Sequence, residues 1–368
     1  MIKVVHVVSD TNIGGAGRWI INFLKEVDKQ QFDASIVIPQ GGLLKEQITA
    51  LRGHVIEIPG MADRSVDMKS IWYLYQLFKK HNPDIVHTHA SLSARIAARC
   101  AKVKKIIYTK HCIDAVVTTG IKQKLITKMN IWLSDYIIAV AMAAKEGLVA
   151  SGLPADRIKV LHNGVDKLSK ISKQERNIYR DKWGISTDEV LVGIVARLEE
   201  VKDHATFVKA AHEVLKRGNE AKFIIVGTGA QEKTLKELVK QLGRLKNIIF
   251  TGHTHDVTAV MNSIDIHVIS SKSEALCLSI IEAMSVGKPG IATRTGGNPE
   301  LIEDSENGLL VPVGDIQALA DAMEKLIKDK PLRQMMGQKS EQKMEEHFTA
   351  HGMVKKLEAL YIERIKQD

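Results

Sequence analysis

The chain has 368 residues, 45% apolar and 26% charged, which at about 100–200 residues per domain gives two domains, each large enough for its own core. That composition excludes a disordered chain, and no apolar run nears the roughly 18 residues of a membrane helix, the best, Tyr136–Ala144, ending at Lys145. The formal charge of +9 sits wholly in the first half: residues 1–165 carry 22 basic and 13 acidic side chains, residues 166–368 thirty of each. Such a surface suits an anionic partner, while the lack of finger spacing, basic-zipper region or aromatic RNA-binding pattern excludes nucleic acid.

Short apolar runs alternate with amphipathic stretches from the start. Ile2–Val8 is a β-branched run, followed by a glycine cluster and then a helical pattern over Arg18–Val27. Further strands are predicted at Ala34–Ile38, Val55–Ile58, Ile85–His87, Ile106–Thr109, Ile137–Val140 and Lys159–Leu161, with helices at Leu43–Leu51, Met68–Lys80, Ser91–Ala101 and Ile121–Leu133. The polar stretch Lys167–Asn177 reads as a linker, and Gly164 supplies turn chemistry before it. The alternation then restarts. Strands are expected at Val190–Val195, Lys222–Val226, Ile248–Phe250, Ile266–Val268 and Gly290–Thr293, with helices at Ala205–Arg217, Gln231–Leu242, Leu278–Val286, Ile316–Lys328 and about Gly352–Gln367. Strands that alternate with helices build parallel sheets covered on both faces. The expected fold is therefore α/β: two Rossmann-like, doubly wound domains facing across a cleft. Residues 1–165 form the first, 166–350 the second, and the 351–368 helix returns to the first.

Met1–Val8 lacks the long apolar stretch and cleavage site of a signal peptide. Cys100, Cys112 and Cys277 fit neither a disulfide framework nor a C-x-x-C metal pair. A cytoplasmic protein is expected. His111-Cys112 continues a strand, so the thiol is expected to pack rather than react. His87 and His89 share a strand face, but no third metal ligand is apparent in the sequence.

Gly14-Gly15-Ala16-Gly17 lies between a strand and a helix, where small residues let backbone N–H groups approach a phosphate. Its spacing is not that of the dinucleotide fingerprint or the P-loop. Arg197 and Lys202 follow the first strand of the second half, a fork and a point charge suited to clamp a diphosphate, although Glu199 and Glu200 between them could neutralise both. Glu274 and Glu282 bracket a helix start near Cys277–Ser279. That spacing puts one carboxylate in the loop and one in an early turn, beside a helix N-terminus that favours anions.

In this context the motifs resemble glycosyltransferase family 4, the retaining group 1 transferases of GT-B fold, over nearly the whole chain. Val192-Gly-Ile-Val-Ala-Arg-Leu198 with Lys202, Ile225-Val-Gly-Thr-Gly229, Phe250-Thr-Gly252, Glu274…Glu282 and Thr295-Gly-Gly-Asn-Pro-Glu300 carry the likeness in the second half. Gly14–Arg18, Asp84–His89 and Asn163–Asp166 carry it in the first. The resemblance implies a metal-independent hexosyl transfer from a nucleotide sugar, a UDP-sugar by expectation, to a lipid-linked or carbohydrate acceptor in bacterial surface polysaccharide or glycolipid synthesis.

The resemblance also assigns roles. Arg197 and Lys202 would neutralise the diphosphate, and Glu282 would hold the ribose. Glu274, with the backbone of Ala275, Leu276, Cys277 and Leu278, would hold the donor sugar. Gly14 and Gly15 would line the phosphate approach, His253 and Thr254 would touch the base, and His111 would contact the donor sugar. Ala275 and Cys277 stand where the family commonly has glycine, so a tighter sugar pocket or a displaced backbone is expected. Asp203 stands where glycine often follows the lysine, and Asn298 where an apolar residue is more usual. Ile121–Leu133 carries Lys122, Lys124 and Lys128 among apolar residues; it reads either as an amphipathic helix for an anionic membrane surface or as a core helix with a solvated lysine face. A sugar-nucleotide epimerase or hydrolase, and a non-catalytic sugar-nucleotide-binding protein, stay open as alternatives.

Overall fold

The computed structural model describes residues 1–10, 14–61, 66–113, 120–254 and 256–367. The chain divides into two compact units, Met1–Asp166 together with Thr349–Asp368, and Lys167–Phe348. In the first, strands β1 (Ile2–Val8), β2 (Phe32–Pro39), β3 (His54–Ile58), β4 (Ile85–His89), β5 (Lys105–Lys110), β6 (Tyr136–Ala139) and β7 (Ile158–Val160) alternate with helices α1 (Gly15–Glu26), α2 (Leu44–Ala50), α3 (Met68–His81), α4 (Leu92–Cys100), α5 (Ile121–Leu133) and α6 (Met142–Ala150). The second holds α7 (Lys173–Lys182), β8 (Val190–Val195), α8 (His204–Lys216), β9 (Ala221–Val226), α9 (Glu232–Gln241), β10 (Ile248–Gly252), α10 (Val257–Ser263), β11 (Ile266–Ile269), α11 (Leu278–Ser285), β12 (Gly290–Thr293), α12 (Asn298–Leu301), β13 (Gly308–Val311), α13 (Ile316–Lys328) and α14 (Lys330–His347). Helix α15 (Ala350–Lys366) belongs to the first unit.

Both sheets are parallel, in the orders β3-β2-β1-β4-β5-β6-β7 and β10-β9-β8-β11-β12-β13. Each order reverses direction once, between β1 and β4 and between β8 and β11. Ligands of such sheets bind beyond the carboxyl ends of the strands at that reversal, so the loops after Val8, His89, Val195 and Ile269 are where chemistry is expected.

Continuous β-branched runs make the central strands, buried on both faces as a covered parallel sheet requires. In β1, Val4, Val7 and Val8 are wholly buried. One face of the first sheet packs on Trp19, Ile20 and Phe23 of α1 and on Val354, Leu357, Leu360 and Tyr361 of α15. The other packs on Leu74 and Phe78 of α3 and Ala94, Ala97 and Ala98 of α4. Short polar side chains start the helices: Asp67, Ser91, Asp256, Asp315 and Asp329 each accept a bond from a backbone N–H three residues on.

Two expectations need correction. The supposed linker holds the start of α7, a capping box in which Ser172 and Glu175 satisfy each other's backbone N–H. Gly164 is not there for turn chemistry, since its φ is not positive. Any Cβ at this position would lie 2.2 Å from the Thr349 carbonyl oxygen, because the backbone of Val165 bridges Thr349 where the chain re-enters the first unit. Gly164→Ala is expected to destabilise the protein by about 2 kcal/mol through overpacking. Gly147→Ala, in α6 with nothing within 4 Å of the added methyl, should stabilise it by about 0.5–1 kcal/mol. Paired denaturant melts of the two variants check both signs.

Candidate active site

In the second unit, the backbone between β8 and α8 is pinned before any side chain acts. Ala196 N–H donates to the Val226 carbonyl at 3.1 Å and Leu198 N–H to the Thr228 carbonyl at 2.9 Å. A Cβ at Gly227 would meet Ala196 O at 2.1 Å and one at Gly229 would meet Leu198 O at 2.5 Å. The Val-Gly-Thr-Gly turn therefore exists to let two strand-end loops touch. Asp203, in the place of a glycine, has φ +47. It tolerates this left-handed geometry as an aspartate can, and its carboxylate takes the Thr206 hydroxyl at 2.8 Å to start α8.

On this frame Lys202 Nζ donates to Glu274 Oε1 at 2.6 Å, both side chains largely buried, and Ser271 Oγ donates to the same oxygen at 2.6 Å. Burial alone would lower the Lys202 pKa, but the neighbouring Cys277 and Glu274 side chains hold it above its ordinary value. Lys202 is thus a fixed cation at neutral pH. Arg197 differs: its guanidinium is 74% exposed and pairs with Glu199 at 2.6 Å. The structure therefore brings Lys202 and Glu274 together and gives each of the two predicted clamp cations a carboxylate partner.

Helix α11 begins at Leu278, with Glu274 in the loop before it and the buried Glu282 inside it. Its N-cap, Cys277, makes no side-chain cap bond; Ile280 N–H turns back to the Cys277 carbonyl at 3.2 Å, and the N–H groups of Leu278 and Ser279 are left for an anion. Ala275 and Cys277 take no positive φ, so the side chains replacing glycine sit on ordinary backbone and the anticipated displacement is not needed there. Burial, then the Glu274 charge, pushes the Cys277 thiol up to about 11. Asn298 is wholly buried and donates to the Thr293 carbonyl at 3.0 Å, which anchors the Gly-Gly turn. His253 and Thr254 line a cavity of about 180 Å³ with Tyr179, Lys182, Trp183 and Asp256, and Tyr179 O–H donates to Asp256 at 2.6 Å. A larger cavity of about 840 Å³ between α9 and β10 contains neither Lys202 nor Glu274.

In the first unit Gly14 is the N-cap of α1 and makes no side-chain cap bond, while a Cβ on Gly15 would enter open space. His111 lies just past β5, half-buried, its Nε2 2.8 Å from His89 Nδ1. Cys112 is exposed rather than packed, because β5 ends at Lys110. The third histidine that the sequence did not offer is His6: it registers beside His87 on the neighbouring strand, and His6, His87 and His89 each bring a nitrogen within 4.8 Å of the others. Its signal was the expected doubly wound order, which puts the first strand next to the one bearing His87 and His89. Tyr361, which completes that cluster, had no local signal.

Comparison with known proteins follows the same lines. Residues 175–343 match the family described as glycosyl transferases group 1, and residues 13–167 match glycosyltransferase family 4. The chain belongs to this glycosyltransferase family, is a glycosyltransferase, and has its two-domain Rossmann-like GT-B fold. The N-acetyl-alpha-D-glucosaminyl L-malate synthase of Bacillus anthracis is 28% identical over 80% of this chain and 78% of its own. The UDP-Gal:alpha-D-GlcNAc-diphosphoundecaprenol alpha-1,3-galactosyltransferase of Escherichia coli is 28% identical, covering 99% of this chain and 97% of its own. The solved structure of Anabaena HepE in complex with UDP and glucose superposes with a TM-score of 0.86 at 21% identity, over 98% of this chain and 99% of that one. The epimerase, hydrolase and non-catalytic readings give way to glycosyl transfer.

Two outcomes follow from the titrating groups. With a pKa near 11, Cys277 holds only about a thousandth of its thiol as thiolate at pH 8. Native alkylation read by mass spectrometry should label the exposed Cys100 and Cys112 and spare Cys277. Burial depresses His6 to about 3 and His111 to about 4 from an ordinary 6.5, and holds His87 and His89 low as well. Protonation therefore favours the unfolded chain. Stability should be complete above about pH 6.5 and fall as pH drops toward 4, by about 2 kcal/mol for His6 alone between pH 7 and 5; urea titrations across that range measure it.

Proposed function

We propose that the chain transfers a hexosyl group, with retention and without a metal, from a UDP-sugar to a lipid-linked or carbohydrate acceptor in bacterial surface polysaccharide or glycolipid synthesis. The observation that carries this reading is the Lys202–Glu274 pair beside the uncapped N-terminus of α11. Departure of UDP builds negative charge on the β-phosphate. Lys202, already cationic and oriented by Glu274, and the α11 N–H groups stabilise that charge without reorganising. Arg197, long and exposed, exchanges Glu199 for the diphosphate. Glu274 keeps one carboxylate oxygen on Lys202 and Ser271 and turns the other to sugar hydroxyls, while Glu282 takes the ribose and His253 with Thr254 take the base. The acceptor hydroxyl attacks from the face that the diphosphate leaves, and the leaving phosphate accepts its proton. The names of the Escherichia coli relative and of HepE with UDP support the donor.

A membrane-facing acceptor is supported by α5. Ile121, Leu125 and Trp132 are 79%, 63% and 59% exposed, and Met129 between them is also exposed. Spacings of four, four and three place the four on one helix face, with exposed Lys124 and Lys128 alongside; the Lys122 side chain lies outside the described residues. The exposed apolar side chains favour this reading over a core helix with a solvated lysine face. Such a face binds at an anionic lipid interface. No described helix is long and apolar enough to cross a membrane.

Arg197→Ala should cut transfer about 100-fold while its unfolding free energy changes by less than about 0.5 kcal/mol; Lys202→Ala should cut both, since it strands a buried carboxylate. Activity assayed by UDP release should be unchanged by a chelator. Full transfer in the Arg197 variant, or loss under chelation, sinks the phosphate clamp. Flotation with anionic vesicles at low salt should carry the protein upward, and Leu125→Glu with Trp132→Glu should leave it at the bottom.

A further inference from the structure

Lys288 lies between α11 and β12, at the end of the second sheet opposite Lys202 and Glu274. Its Nζ donates to the Asn262 carbonyl at 2.9 Å, in the last turn of α10, and it has no ion pair among the described residues. The next carbonyl in the chain, that of Ser263, takes Arg180 Nη1 at 3.3 Å. A lysine and an arginine head thus sit on consecutive carbonyls. The carboxyl end of a helix suits a cation, but that does not explain one packed against others.

Arg176, Arg180 and Lys170 all bear on the Lys288 ammonium, and the carboxylate that offsets them is Asp265. Asp265 is already shared. Its Oδ1 accepts from Arg176 at 2.6 Å, and its Oδ2 accepts from Arg180 at 3.2 Å and from the Leu191 N–H at 2.9 Å. Glu341 of α14 is taken by Lys170 at 2.7 Å and by Lys167 at 2.9 Å. Burial above all, with Asp265 opposing it and the three cations adding to it, brings Lys288 from its ordinary 10.5 down to about 8. At pH 8 about half of this side chain is free amine, against under about one hundredth of an ordinary lysine.

Arg180 supplies a second, independent sign. It is wholly buried; Nη1 and Nη2 reach the carbonyls of Ser263, Ser186 and Glu189 and the Asp265 carboxylate. Its Nε is buried with no acceptor among the described residues, and an unmet buried donor is costly. The surroundings therefore combine a neutral amine, three cations around one shared carboxylate, and an unused N–H. They lack an anion that the amine itself can become.

We propose that Lys288 is a carbon dioxide site, carbamylated at Nζ, with the carbamate held by the Arg176 and Arg180 guanidiniums. The Nζ lone pair attacks the carbon of dissolved CO2. An N–C bond forms, one C=O π pair moves onto oxygen, and the zwitterion sheds one Nζ proton to water. Nothing is oxidised and no group departs. The remaining N–H keeps the Asn262 carbonyl, and the new oxygens bring an acceptor to Arg180. A charge that its neighbours repel is replaced by one that they attract. Lys288 retains some exposure to water, which admits so small a molecule. The inference is independent of the donor and acceptor of the transfer reaction.

Full-length protein at pH 8 under carbon-13-labelled CO2 and bicarbonate, trapped with triethyloxonium and mapped by peptide mass spectrometry, tests the site. Lys288 should carry the ethyl carbamate at more than about tenfold the median of the other lysines, with the α-amino group of the chain as internal control. Lys288→Arg, which keeps a cation for the Asn262 carbonyl, should erase both that label and the carbon-13 carbamate resonance. Arg176→Gln, on a partly exposed side chain, should lower occupancy of Lys288 about tenfold. At fixed dissolved CO2, occupancy should rise from about pH 7 to about pH 9, because the reaction releases a proton. A Lys288 labelled no more than the median lysine, beside a labelled α-amino control, overturns the proposal in the unsubstituted protein, so no variant has to fold. A label on Lys288 that Arg176→Gln leaves unchanged overturns it as well.

Discussion

Lys202 and Glu274 meet at 2.6 Å with little water around either, and the second unit's strand ends are arranged around that meeting. The two residues come from loops after β8 and β11, the strands between which the sheet order reverses. Further bonds hold the same two loops together: Ser270 Oγ donates to the Asp203 carbonyl at 2.9 Å, and Lys272 N–H donates to the Val201 carbonyl at 2.8 Å. Gly297 N–H reaches the Glu274 carbonyl from the following turn. A buried ion pair contributes little net stability, because desolvation offsets most of its Coulomb energy. What it secures here is position, a cation that cannot wander from the start of α11.

Much of this was legible in the residues. The two rounds of alternating strands and helices gave both parallel sheets, and the Glu274…Glu282 spacing placed one carboxylate before α11 and one inside it. Gly227 and Gly229 were legible as a turn, though not the backbone contact with Ala196 and Leu198 that excludes any Cβ. The pairing of each clamp cation was only half visible. Glu199 lies two residues from Arg197 and could be foreseen, whereas Glu274 is 72 residues from Lys202 and reaches it only through the fold.

The misreadings have physical causes. Polar composition over Lys167–Asn177 hid α7, where Ser172 and Glu175 carried a capping signal stronger than the hydropathy. Cys112 follows a strand that stops two residues before it, so strand alternation does not govern where its thiol lies. Periodicity shows that α5 has an apolar side without showing what covers it, so the sequence leaves that face open between lipid and core. Most distant of all was Tyr361, which lies 274 residues from His87 in the chain and within hydrogen-bond reach of it in the fold.

The return of α15 to the first unit also orders events at the ribosome. Residues 1–166 emerge first, yet the hydrophobic face formed by Trp19, Phe23 and Phe32 stays uncovered until Val354, Leu357, Leu360 and Tyr361 have been synthesised. By then the whole of the second unit is already available to fold. The chain can thus finish its second body before its first, whose apolar face stays open until the returning helix closes it.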